Sequence, residues 1–94
     1  MELGFEWDEG KALENYRKHK VKFEEGVEVF SDPFSITISD PDHSINEQRY
    51  IDIGASAKGH ILVVSYTERN RKIRIISCHK ALRIERRKYE EGIR

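Results

Sequence analysis

Residues 48–78, QRYIDIGASAKGHILVVSYTERNRKIRIISC, read as three consecutive strands joined by two short turns. Gln48 to Gly54 alternates, with Ile51 and Ile53 inward and Asp52 expected to be exposed. Ser56-Ala57-Lys58-Gly59 carries the small, flexible residues of a hairpin turn. His60 to Thr67 contains Ile61, Leu62, Val63 and Val64 in succession, the mark of a central strand covered on both faces. Arg69-Asn70-Arg71 makes a tight turn into Lys72 to Cys78. In that last strand Ile73, Ile75 and Ser77 are expected on one face, and Arg74, Ile76 and Cys78 on the other. Arg74 is flanked by packing residues, so its guanidinium should be held more rigidly than one on a free surface.

Upstream, Phe34, Ile36 and Ile38 alternate with Ser35, Thr37 and Ser39, which adds a strand and completes a four-stranded antiparallel meander. Before it lie two short helices. Asp8 suits the N-cap of the first, which runs to about Lys18 with Ala12, Leu13 and Tyr16 on its apolar side. The second carries Phe23, Val27 and Phe30 at i, i+4 and i+7 and stops at Ser31-Asp32-Pro33, because proline disfavours helix in the residue before it. Leu3, Phe5 and Trp7 alternate with polar or small neighbours as a first strand with one buried face. Downstream, a final helix beginning near Ala81 places Ala81, Leu82, Ile84, Glu85 and Tyr89 on one arc, with Arg83, Arg86 and Arg87 opposite. Glu85 would then face the sheet and require a partner, for which Arg74 is the candidate. The fold class is α+β, in one domain spanning residues 1–94.

Ninety-four residues suffice for one continuous core but leave little room for a deep internal pocket, so function belongs on a surface or in a shallow cleft. The lone Cys78 cannot form an intrachain disulfide, which fits a reducing, cytoplasmic setting. The run Ile61–Val64 is too short to span a bilayer, and Met1-Glu2-Leu3 lacks the regions of a signal peptide; no membrane association is expected. One cysteine and four scattered histidines give no zinc pattern. The acidic loop Asp40-Pro41-Asp42-His43-Ser44 lacks the spacing of a calcium loop, so no metal site and no cofactor are expected. There is no phosphate-cradling glycine loop and no activated serine motif.

Charge is the stronger signal. The formal net charge is +0, yet from Arg69 to Lys88 nine basic side chains face Glu85 alone. A cationic pole on an otherwise acidic chain can hold a polyanion, and each phosphate it contacts adds salt-dependent affinity. The competing explanation, a solvated helix face, does not account for Arg83, Arg86 and Arg87 sharing one arc with Lys72, Arg74 and Lys80 extending it. His79 lies beside Lys80 at the edge of this pole and could act as acid or base there. His19 ends the first helix, where a cation also favours the helix dipole.

The order and wording of several stretches resemble the BrnT family, the toxin halves of bacterial type II toxin–antitoxin pairs with a RelE-like fold. They are Phe5-Glu6-Trp7-Asp8, Arg17-Lys18-His19, Val21, Phe23-Glu24-Glu25, Phe30-Ser31-Asp32-Pro33, Asp40-Pro41-Asp42-His43-Ser44, Glu47, Arg49, Thr67-Glu68-Arg69, Ile73-Arg74-Ile75-Ile76-Ser77, Ala81, Arg83, Glu85, Arg86 and Tyr89. Lys22 stands where the family often has a small helix-capping residue, and His79 where an arginine is common. The resemblance implies a ribonuclease that cuts cellular RNA, lowers translation and arrests growth. It also implies a cognate antitoxin and a hetero-oligomer holding more than one toxin copy. Metal-free cleavage through the 2′-hydroxyl needs cations for the phosphorane-like transition state, and Arg69, Arg74 and Arg49 are the candidates. Glu68 is a candidate base, and His79 or His43 acid or base; His19 with Lys18 remains open. Lys72, Lys80, Arg83, Arg86 and Arg87 would track the RNA backbone. The alternative is a noncatalytic module whose basic face binds nucleic acid or a partner.

Overall fold

Two tight turns set the central sheet. Gly59, at φ +85°, closes the first by donating its N–H to the carbonyl of Ser56 at 2.9 Å. Asn70 and Arg71, both at positive φ, form the second, a two-residue connection whose twist matches that of the strands it joins. The protein, described here as a computed structural model over residues 4–43 and 46–92, arranges five strands and three helices around these hairpins. The elements are β1 (Gly4–Glu6), α1 (Glu9–His19), α2 (Phe23–Val27), β2 (Ile36–Ser39), β3 (Arg49–Ala55), β4 (Ile61–Arg69), β5 (Lys72–Lys80) and α3 (Arg83–Gly92). A 3₁₀ turn, Glu28–Ser31, continues α2, and another, Pro41–His43, follows β2. Leu3 and Ser44, which the sequence places in the first strand and the acidic loop, lie outside the described residues.

The sheet order is β1-β5-β4-β3-β2, a mixed sheet. β2 to β5 pair antiparallel with their neighbours in the chain, and β1 adds parallel to β5 with Glu6 opposite Arg74. Helices cover both faces. On one, α1, α2 and the 3₁₀ turn enclose Val21, Phe23, Val29, Leu62, Val64, Tyr66, Ile73, Ile75 and Cys78. On the other, Tyr89 of α3 packs with Ile53 and Val63. Burying side chains such as Phe23 and Leu62 contributes about 1.5–3 kcal/mol each.

Four expectations are corrected. First, β5 does not alternate throughout. Ser65 pairs with Ser77 but Tyr66 with Ile75, so Ile76 is the extra residue of a β-bulge. The bulge resets the alternation and puts Cys78 in the same core as Ile73 and Ile75. There burial pushes its thiol up to about 12, well away from reactivity. Secondly, α1 buries Asn15, while Leu13 and Tyr16 are 55% and 42% exposed. β1 is too short to cover the outer edge of β5, and α1 fills that edge with an amide. Thirdly, α3 begins at Arg83 and turns in only Glu85 and Tyr89, leaving Leu82 and Ile84 67% and 73% exposed. Lys22 precedes α2 without any side-chain cap, yet α2 begins directly after it and passes after five residues into the 3₁₀ turn.

The fourth correction is Asp52, which is buried and accepts a hydrogen bond from the Tyr66 hydroxyl at 2.9 Å. Desolvation outweighs the hydrogen bonds from Thr37 and Tyr66, so its carboxyl titrates above the ordinary range. The folded state therefore prefers the neutral acid, and ionisation at neutral pH costs stability that is regained as pH falls through the raised value. Asp52→Asn is expected to match or exceed the parent by up to about 1 kcal/mol at pH 7, with the difference closing toward acid pH. Urea unfolding across that range measures it. A variant less stable than the parent at pH 7 by more than this amount would contradict the sign.

Candidate functional site

Strand register places the arginines. Arg49 on β3 lies opposite Thr67 on β4, Thr67 opposite Arg74 on β5, and Arg74 opposite Glu6 on β1. This row crosses the sheet on the face that carries α3, at the end α3 does not cover. Neighbouring strands lie ~4.8 Å apart, so Arg49 and Arg74 start roughly 10 Å from one another with the short Thr67 between them. Thr67 is buried and donates its hydroxyl to the carbonyl of Gln48 at 2.7 Å, which fixes the start of β3 against β4. Arg69 extends from the end of β4 toward the segment preceding β3. The guanidiniums are thus mounted on paired strands.

Carboxylates hold Arg74 and Arg69. Arg74 Nη1 donates to Glu6 Oε2 at 3.0 Å, and Arg69 grips both oxygens of Glu47, with Nη2 to Oε1 at 2.8 Å and Nε to Oε2 at 2.5 Å. The hydrogen bonds from Arg69 hold Glu47 below the ordinary carboxylate range. Burial opposes this, and the positive fields of Arg69, Arg49 and Arg74 reinforce it. The same neighbourhood raises Arg69, through its bond to Glu47 and through the charges of Glu47 and Glu6. Arg49, Arg69, Glu47, Asn46, Asp42 and His43 line an open depression of about 400 Å³. His43 stands at its rim with Nδ1 3.0 Å from Asp40 Oδ2.

The remaining sequence candidates sit elsewhere. Glu68 is paired with Ile73 and projects from the opposite face of β4 to Thr67 and Arg69. His79 and His19 come together with ring centroids 5.6 Å apart, and Lys18 and His19 line a separate groove of about 260 Å³ beside Ile76 and Ser77. Glu85 does not meet Arg74, as the sequence suggested. It accepts from the Leu82 N–H at 2.8 Å, capping α3, and lies 3.2 Å from His79 Nε2. Arg74 is occupied by Glu6 instead. Lys72, Lys80, Arg83, Arg86 and Arg87 are all exposed, the last three along α3 on the same side of the sheet as the arginine row. Sequence reasoning overlooked Glu6 and Glu47. Glu6 carried a signal, since its place between inward Phe5 and Trp7 sends it to the opposite face, but its pairing with β5 joins residues 68 apart.

Among the described residues no group of three or more histidine, cysteine, aspartate or glutamate side chains is arranged to hold a metal ion, and no helix is long and apolar enough to cross a membrane. A depression lined by rigid guanidiniums, with a histidine at its rim, suits a phosphodiester. The protein is a ribonuclease toxin of a type II toxin–antitoxin system, acting on RNA and paired with an antitoxin. The family model that matches it over residues 7–85 is described as "Ribonuclease toxin, BrnT, of type II toxin-antitoxin system", and the chain belongs to the BrnT family. Its fold is similar to the crystal structure of the Brucella abortus ribonuclease toxin BrnT, with a TM-score of 0.64 and 21% sequence identity, covering 87% of this chain and 100% of that one. No individually curated protein sequence matches it.

Proposed function

We propose that this single RelE-like toxin domain cuts RNA at the Arg49, Arg69 and Arg74 surface without a metal ion. The observation that carries the reading is a row of strand-mounted guanidiniums: Arg49 and Arg69 line one exposed depression, and Arg74 stands on the next strand, two strands over from Arg49 across Thr67. In-line attack of a ribose 2′-hydroxyl on the adjacent phosphorus builds charge on the non-bridging oxygens, and a planar guanidinium can bind two of them at once. Because the strands already fix these groups, little reorganisation accompanies the rise in charge. His43, at the rim of the same depression, donates the proton that the departing 5′ oxygen requires. His79, His19 and Lys18 form a second polar cluster farther along β5, and with Lys72, Lys80, Arg83, Arg86 and Arg87 they guide the flanking RNA backbone. The cytoplasm is the site of action. The antitoxin silences the toxin by covering this basic face, in a complex holding more than one toxin copy.

Purified protein incubated with RNA is expected to cut it equally well with and without a chelator, and Arg69→Ala and Arg49→Ala are each expected to lose cleavage by roughly 100-fold. Cleavage abolished by the chelator would refute the metal-free reading. Intact RNA under all conditions, with binding that weakens steeply as salt rises, would favour a noncatalytic binding module instead.

A further inference from the structure

The arginine site leaves unanswered which group accepts the proton of the attacking 2′-hydroxyl. Glu68 is on the other face of β4, and His43 is assigned to the leaving oxygen. Glu47 lines the depression beside Arg49 and His43, with its two oxygens on Arg69 where a phosphate would place its own. Glu6 is bonded to Arg74 from β1 and does not line the depression. Resting on the proposed arginine site, we propose that Glu47 is the catalytic base, sheltered on Arg69 until the substrate phosphate displaces it.

Backbone placement supports that exchange. Arg69 and Arg49 are strand residues, whereas Glu47 lies in the segment before β3, one residue ahead of the Gln48 carbonyl that Thr67 anchors. Its backbone is therefore held close while its side chain can rotate. When a phosphate takes the guanidinium, the carboxylate moves and the arginine stays. Removing Arg69 from Glu47 also removes the main influence that keeps the carboxylate acidic, so its proton affinity rises once RNA is bound. In the step itself the 2′ O–H bond breaks and its proton passes to Glu47. The 2′ oxygen forms a bond to phosphorus, the P–O5′ bond breaks, and the 5′ oxygen takes the His43 proton. The products are a 2′,3′-cyclic phosphate and a 5′-hydroxyl end. Glu47 afterwards releases its proton to solvent and His43 regains one, which restores the starting charges.

The test compares the parent, Glu47→Gln and Glu47→Asp in single-turnover cleavage of a short RNA over a range of pH, alongside binding of the same oligonucleotide carrying 2′-deoxyribose at the cut. Glu47→Gln is expected to cut about 100-fold more slowly and to lose the acid limb of the pH–rate profile. It should bind the deoxy analogue as tightly as the parent or more tightly, because the competitor for Arg69 has lost its charge. Glu47→Asp should retain the acid limb and an intermediate rate. Cleavage by Glu47→Gln within threefold of the parent would overturn the proposal, as would a loss of analogue binding as large as the loss of rate. If Glu47→Gln is active while Arg49→Ala is inactive, only the base is misassigned; if both are active, the arginine site falls with it.

Discussion

Arg74→Ala is expected to lower the single-turnover rate of RNA cleavage by roughly 100- to 1000-fold, the usual cost of removing one preorganised donor from a developing oxyanion. The size follows from where Arg74 stands. Its neighbours Ile73 and Ile75 are anchored in the core, its strand is paired on both sides at this point, and its side chain is only 29% exposed. Arg49 and Arg69 are fixed on β3 and β4 and cannot move into its place. Arg74→Lys should recover no more than about a tenth of the lost activity, because an ammonium cannot present the two parallel donors of a guanidinium. Stability should change little. The Glu6 partner is 33% exposed and can be hydrated when unpaired, and partly exposed pairs of this kind contribute about 0–1 kcal/mol. Rates measured beside urea midpoints separate the two effects. Full-rate cleavage by Arg74→Ala would remove this residue from the site, and a large loss of stability would make the rate uninterpretable as chemistry.

The sheet was legible where short-range chemistry decides it. Gly59 and the Asn70-Arg71 pair mark the hairpins, and the unbroken apolar run of β4 announces burial on both faces. Those signals also bring Arg49, Arg69 and Arg74 onto adjacent strands. Asp52 was misread because alternation with Ile51 and Ile53 only assigns it the other face, and α2 and the 3₁₀ turn cover that face as well. The bulge at Ile76 is not written in composition, since Ile76 would suit either face of a regular strand. Leu82 and Ile84 look like core residues on a helical wheel, but α3 docks through Tyr89 and Glu85 and shows them to solvent. Glu6 and Glu47 escaped notice because each gains its meaning from a long-range pairing. For Glu6 the alternation with Phe5 and Trp7 gives the face but not the partner, and nothing local distinguishes Glu47 from the other acidic residues of the chain.

Asn15 illustrates the same difficulty and supports the largest expected loss of stability. β1 covers β5 only from Lys72 to Arg74, so the outer backbone groups of Cys78 have no strand partner. The Asn15 amide substitutes for one. Its Oδ1 accepts from the Cys78 N–H at 3.1 Å, and its Nδ2 donates to the carbonyls of Cys78 at 2.8 Å and Val21 at 3.1 Å. A hydrophobic residue would bury its surface equally well but could satisfy none of the three groups. Each orphaned buried group costs about 1–3 kcal/mol, and some hydration will offset the sum, so Asn15→Ala should destabilise the fold by about 3 kcal/mol. For a domain of this size that corresponds to a fall in melting temperature of roughly 12–24 °C. Asn15→Asp is nearly isosteric yet should be at least as harmful at pH 7, because a carboxylate would face the two carbonyl oxygens that the amide now serves. Its carboxyl would titrate above the ordinary range in the folded state, so the lost stability should return in part as pH falls and a donor hydrogen is restored. Thermal unfolding of the two variants at neutral and mildly acidic pH distinguishes this account from one of packing alone, which predicts that Asn15→Asp tracks the parent.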